Sequence, residues 1–273
     1  MSYETDILKG SDETLPVTHR HDVYPTIDPK PFYAAQSYKG KVVLITGASR
    51  GIGQETALHY ARAGASLAIV ARSEESLNET KGTILAAVPS ADVLVLTTDV
   101  RNVTGAEVAV HHVIEHFGRL DILIANAGFI SLWASKDPNA WWNTFEVNIR
   151  GIFNFVSAAI RALEKVEGYI VAVSGIAAQV RLPGCSDGCI SKHAVNRLVE
   201  FIALAKEAEA GDGPDTLALP AATMLYLTSG RADWLTGRHY SANWDISEVE
   251  RDWKDVIVEK GGLVNKLYIP PRA

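Results

Sequence analysis

Val42-Val43-Leu44-Ile45-Thr46-Gly47-Ala48-Ser49-Arg50-Gly51-Ile52-Gly53 joins two textures of sequence. Its first half is a short, continuous apolar run, as a strand buried on both faces requires. Its second half is a glycine-rich turn that opens onto a helical stretch reaching about Ala63. Glycines let the backbone approach a pyrophosphate closely, and the helix N-terminus offers free N–H groups and the positive end of a dipole. A glycine pattern alone is weak evidence. Its position between a buried strand and a helix is what gives it meaning, with a tight turn that binds nothing as the competing account. Gly47, Ser49, Arg50, Gly51, Ile52 and Gly53 are therefore the candidate phosphate-binding residues.

Outward from this turn the same alternation repeats. Leu67–Val70, Val93–Leu96, Ile122–Ala125 and Tyr169–Val173 read as further buried strands. Between them, Ser73 to Ala87 reads as a helix with Ser73 as N-cap and Glu74 and Glu75 in its first turn. Val103 to Phe117 reads as a helix stopped by Gly118. Two helices fill Pro138 to Glu164. Strands alternating with helices imply parallel pairing through right-handed crossovers, hence an α/β, doubly wound, Rossmann-like sheet in a single domain. The second strand ends at Ala71-Arg72. An acidic residue there would hold the ribose 2′-OH of NAD. Arg72, together with Arg50, is suited to a 2′-phosphate, so NADP is expected over NAD.

Composition bounds the rest. The chain has 273 residues, 47% apolar and 21% charged, with a net charge of −6. These values exclude a disordered or collagen-like chain, and the negative balance argues against nucleic-acid binding. Two cysteines, Cys185 and Cys189, cannot form a disulfide framework and point to a reducing, cytoplasmic setting. No apolar run is long enough for a signal peptide core or a membrane span, so neither is expected. The sequons at Asn78 and Asn102 are then chance matches. Residues 1–40 are polar, contain Pro16, Pro25, Pro29 and Pro31, and read as an irregular arm that either wraps the domain, covers a pocket or hangs free. The domain proper is expected over 41–241, with a C-terminal extension over 242–273.

These motifs together resemble the short-chain dehydrogenase/reductase family: Thr46 to Gly53, Asp99-Val100, Ala125-Asn126-Ala127-Gly128, Asn148 and Ser191-Lys192. The resemblance covers about residues 41–205, and 216–241 more loosely. It implies hydride transfer between a nicotinamide cofactor and a small carbonyl or alcohol, commonly in a homodimer or homotetramer and often in secondary metabolism. It further implies adenine contacts from Asp99 and Val100, a cofactor cleft lined by Asn126, Ala127 and Gly128, and a nicotinamide-ribose contact from Lys192. The family's acid/base is a tyrosine four residues before the lysine, supported by a serine at the end of the fifth strand and by an asparagine.

Here the sequence departs from that pattern. Gly188 stands where the tyrosine should be, and glycine has no proton to donate. Gly175 stands where the serine should be, with Ser174 beside it. An extra residue within 176–187 would restore Ser174 to the role. Asn148, Ser174 and Lys192 are thus the candidate catalytic residues. Asp187, Ser186, Cys185, Cys189 or a water in the vacated space are the candidate proton sources. The alternative is a degenerate member that binds dinucleotide or a partner without efficient redox chemistry. A second departure follows the helix from about Ser191 to Ala205. Lys206 to Asp215 is too polar for a buried strand, so the sixth-strand region is expected to be missing. Residues 216–230 resemble the next helix, with Met224–Thr228 as a displaced strand in the competing reading. Gly237–Ser241 resembles the last strand.

Two further patterns compete for attention. His112-Val113-Ile114-Glu115-His116 matches a zinc-protease string but falls on a helix expected to face solvent. Cys185, Cys189 and His193 recur at four-residue steps without a fourth ligand, so no metal is expected. Trp234 and Trp244 read as packing residues, with a substrate entrance as the alternative.

Overall fold

The computed structural model describes residues 17–130, 137–180, 182–202, 206–210 and 216–263, with the backbone only at 206–210. Five strands fall where the apolar runs predict: β1 Val42–Thr46, β2 Ser66–Ala71, β3 Val93–Thr97, β4 Ile122–Ala125 and β5 Tyr169–Val173. A sixth, β6 Lys206–Ala210, completes a parallel sheet of order β3-β2-β1-β4-β5-β6. Order reverses between β1 and β4, and in such sheets ligands bind beyond the carboxyl ends of the strands at that switch. The helices are α1 Lys30–Ala35, α2 Gly51–Arg62, α3 Glu74–Ala87, α4 Val103–Phe117, α5 Pro138–Phe145, α6 Gly151–Glu164, α7 Ser186–Ile202 and α8 Ala218–Leu227, followed by the short α9 Ile246–Glu248 and α10 Lys254–Lys260.

Every residue of β1 is buried. Val43 and Ile45 enter one core with residues of α2, α3 and α8, while Val42 and Leu44 enter a second core with residues of α4, α6 and α7. This is the two-residue strand period read as two layers of helices. The local punctuation works as its chemistry dictates. The Ser73 hydroxyl accepts from Ser76 N at 3.3 Å, the Asn102 side chain caps α4, and Gly118 ends α4 at φ +77°.

The late strands correct the sequence expectation. Lys206–Ala210 does form a strand, pairing with β5 from Tyr169↔Lys206 to Val173↔Ala210. An apolar run is required of an interior strand, but β6 lies at the sheet edge with one neighbour, where a polar sequence is suitable. Gly237–Ser241, which resembles the family's last strand, is not a strand. Met224–Thr228 is helix and helix end, not a displaced strand.

The arm is not irregular throughout. Pro25–Ile27 forms a 3-10 turn and α1 follows. Tyr24 and Ile27 share a third apolar cluster with Leu219, Leu235, Tyr240, Trp244, Ile246 and Ile257, so arm and C-terminal segment form one packing unit. Trp244 is buried there, and the Tyr24 and Tyr240 hydroxyls donate to its carbonyl. It flanks no entrance. Trp234 packs at the edge of the same cluster, with its Nε1 donating to Glu250. No described helix is long and apolar enough to cross a membrane.

Candidate active site

The turn after β1 brings three segments together by close backbone contact. Gly47 has φ +68°, and a Cβ there would stand 2.8 Å from the Ala127 Cα. A Cβ on Gly53 would stand 2.3 Å from the Gly47 carbonyl oxygen. Both positions therefore demand glycine for reasons of space. The Asn126 amide donates to the Thr46 and Gly47 carbonyls at 3.0 and 3.3 Å, and Ala127 N donates to the Thr46 hydroxyl at 3.0 Å. Thr80 of α3 anchors the turn from behind, donating to the Ala48 carbonyl at 3.1 Å. Ser49, Arg50, Gly51 and Ile52 remain at least partly accessible on the rim.

Arg72 is exposed at the end of β2, and its positive charge reaches Asp99. The Asp99 carboxylate is held below its ordinary pKa, first by hydrogen bonds from the Arg101 side chain, which engages both oxygens. Arg101 also donates to Asn143 of α5 at 2.5 Å. Val100 is buried against Gly151, and its carbonyl accepts from Asn154 at 2.8 Å. Sequence reasoning marked Asp99 and Val100 but missed Arg101. The bond to Asn143 spans forty-two residues and leaves no local signal.

At the other end of the cleft, Asn148 lies in a π-helical turn, Glu146–Arg150, between α5 and α6. Such turns often mark functional positions in helices. Its Oδ1 accepts from Phe129 N, and its Nδ2 donates to the Phe129 carbonyl and the Ser191 hydroxyl, each at 2.9 Å. Lys192 Nζ donates to the Val173 carbonyl at 2.7 Å. A Cβ added to Gly128 would lie 3.0 Å from Asn148 Oδ1 and 3.2 Å from Lys192 Nζ, so these three meet at one point.

Ser174 lies behind this point, between β5 and α7. It is fully buried, its hydroxyl donating to the Lys192 carbonyl at 3.1 Å and meeting the Asn196 amide at 2.5 Å. It ties β5 to α7. The position four residues before Lys192 is occupied from outside α7. A Cβ on Gly188 would stand 2.7 and 2.8 Å from the two γ-carbons of Ile130, whose side chain fills that space. Nothing in the sequence near Gly188 announces Ile130, which arrives from the loop after β4.

The remaining candidate acids face elsewhere. Asp187 is fully buried against α5, with one oxygen accepting from Thr144 at 2.7 Å and the other without a partner among the described residues. Ser186 accepts from the Trp141 indole. Burial pushes the Cys185 thiol up, with Cys189 and Asp187 adding to the shift. His112 and His116 lie on the exposed side of α4.

The sequence pattern of the short chain dehydrogenase family matches residues 41–210. The chain belongs to that family. Short chain dehydrogenase mpl6 of Monascus purpureus is 37% identical over 286 residues, covering 92% of this chain and 95% of the relative. That alignment is longer than the 273-residue chain, so it opens gaps opposite it. Short chain dehydrogenase tazN of Aspergillus terreus is 30% identical, covering 97% of this chain and 65% of the relative. Among solved structures, a short-chain type dehydrogenase/reductase from Mycobacterium marinum superposes with a TM-score of 0.71 at 26% identity, covering 77% of this chain and 96% of that one. Levodione reductase matches in fold with a TM-score of 0.70 at 22% identity, covering 76% and 97%. Members of this family are oxidoreductases that use nicotinamide dinucleotides on small molecules and are typically oligomeric.

Proposed function

We propose that this chain is an NADP-dependent short-chain dehydrogenase/reductase acting on a small carbonyl or alcohol in secondary metabolism. The observation that carries the cofactor is the cradle in which Gly47 and Gly53 leave no room for a Cβ. In this reading Gly47, Ser49, Arg50, Gly51, Ile52 and Gly53 hold the pyrophosphate, and Arg72 with Arg50 meets the 2′-phosphate. Asp99 and Val100 border the adenine. Asn126, Ala127, Gly128 and Lys192 take the nicotinamide ribose end. When bound, the nicotinamide supplies a hydride. Asn148 fixes the loop at Phe129, and Lys192 places its amino group beside Gly128. The substrate oxygen exchanges its proton with solvent that enters the cleft elsewhere than at position 188, where Ile130 fills the space. Similarity to short chain dehydrogenases of Monascus and Aspergillus supports the metabolic setting. Exposed Phe153 on α6 and Ile190 and Phe201 on α7 support a homodimer or homotetramer through these helices.

The Ile130 packing favours a second reading, a member that binds dinucleotide without efficient redox turnover. Positioned acid catalysis is worth roughly 10²–10⁴-fold, so its loss separates the two readings by rate and not by binding. Calorimetry with NADPH and NADH, followed by NADPH oxidation with a ketone panel, decides. Tight NADPH binding with turnover supports the first reading. Tight binding with no turnover supports the second, and binding of neither cofactor refutes both.

A further inference from the structure

A cavity of about 370 Å³ opens at the amino ends of β1, β4 and β5. Residue 42 begins β1 at this end and the phosphate turn follows Thr46 at the other. The cavity is thus about 15 Å from the cofactor cleft along the strand. Its walls are Phe32 of α1, Tyr38 of the turn that follows, Tyr169 at the start of β5, and the segment after α8. The arm, which the family pattern at 41–210 does not include, supplies one side of it. The volume falls within the range of small-ligand sites, and the lining it exposes is more polar than apolar, with only the edges of Phe32 and Tyr38 reaching it.

The charges around the cavity are unequal in what they leave free. Asp121 is committed, bonded by Arg119 at 2.6 and 2.8 Å, by Val42 N at 2.9 Å and by Lys41 at 3.2 Å. Although burial pushes the Asp121 carboxyl up, these bonds hold it below the usual carboxylate range. Lys41 is thereby engaged as well. Tyr38 is engaged at its hydroxyl, which donates to the Leu225 carbonyl at 2.6 Å and meets Thr228 at 2.8 Å, leaving its ring as wall. Arg231 differs. Its guanidinium stacks over the Phe32 ring at 5.6 Å and the Tyr226 ring at 5.9 Å, and no carboxylate pairs with it among the described residues. A guanidinium held by ring faces keeps its N–H edge available for a carboxylate, which it binds in two-point fashion. Glu167 also lines the cavity and disfavours a second negative charge on the occupant.

We propose that this cavity is a binding site for a small aromatic monocarboxylate, separate from the cofactor cleft. The ring lies against Phe32, Tyr38 and Tyr169, and the carboxylate pairs with Arg231. The inference does not depend on the redox reading, because none of these residues takes part in it.

Benzoate and its neutral analogue benzamide are titrated into the full chain by calorimetry and ligand-observed NMR, with and without saturating NADPH. The expected result is saturable benzoate binding at least tenfold tighter than benzamide and unchanged by NADPH. Arg231→Gln should weaken benzoate at least tenfold while leaving benzamide unchanged. Ser37→Trp, which fills the cavity from its exposed lip without altering Arg231, should weaken both. Absence of saturable benzoate binding, equal affinity for the two probes, displacement by NADPH, or an unchanged affinity in Arg231→Gln each overturns the proposal.

Discussion

Restoring the family's tyrosine by Gly188→Tyr is expected to fail unless Ile130 is shortened at the same time. A Cβ at 188 would meet Ile130 Cγ2 at 2.7 Å, against a normal carbon contact of about 3.5–4.0 Å. Relieving an overlap of roughly 1 Å in packed surroundings costs about 1–3 kcal/mol. Replacing a glycine with tyrosine in the first turns of α7 returns roughly 0.3–0.5 kcal/mol of helix propensity. Gly188→Tyr should therefore destabilise the chain by about 0.5–2.7 kcal/mol. Ile130 is 39% exposed, so Ile130→Ala leaves no sealed cavity and should cost less than a core truncation. The two changes touch one another and should be non-additive, the double variant recovering most of the loss. Urea unfolding of the four proteins in the cycle measures the coupling. NADPH oxidation with ketones measures its consequence, where the double variant should exceed either single variant by about 10²-fold or more if the tyrosine reaches the substrate oxygen. If Gly188→Tyr alone is as stable and as active as the double variant, Ile130 does not block the position and the reasoning is refuted.

Three further expectations are independent of that cycle. Gly53→Ala should abolish detectable NADPH binding in calorimetry, because its Cβ would stand 2.3 Å from the Gly47 carbonyl oxygen. Undiminished binding would show that the turn does not hold the pyrophosphate. Arg72→Gln should weaken NADPH at least fivefold while leaving NADH unchanged, and an equal loss for both cofactors counts against a 2′-phosphate contact. His59 is held down to about 4 by burial first and then by Arg62, and the Glu55 carboxylate 3.3 Å away does not offset this. The unfolded chain therefore binds a proton that the folded chain refuses between pH about 6.5 and about 4. Stability is present in full above 6.5 and lost as pH falls through that window, by about 3 kcal/mol at most. The slope of unfolding free energy against pH should flatten there in His59→Gln, and an unchanged slope would place the titration elsewhere. The bond from Tyr33 to the His59 ring makes the arm's α1 the first element expected to lose protection from hydrogen exchange.

Much of the architecture is legible in one dimension because its causes are local. A strand buried on both faces must be apolar along its length, so β1 to β5 stand out. Ser73, Asn102 and Gly118 cap and stop helices through groups within a few residues of themselves. The glycine turn is legible for the same reason, since a close approach of backbone to backbone excludes a Cβ. That Gly188 stands four residues before Lys192 is equally plain. The reading of Lys206–Ala210 failed because it applied an interior strand's requirement to an edge strand, and edge position is a property of the assembled sheet.

What the tertiary structure alone decided depends on pairs far apart in the chain. Ile130 and Gly188 are separated by fifty-eight residues, and only the approach of the β4 loop to α7 packs one against the other. The bond from the Ser174 hydroxyl to the Lys192 carbonyl spans eighteen residues and ties β5 to α7. The arm's role depends on Phe32 and Tyr38 meeting segments nearly two hundred residues later. The sequence determined the first five strands and the glycine turn, because each is fixed by residue type and short-range geometry. The folded chain decided which side chains fill the gaps, because packing brings together residues that no period or spacing connects.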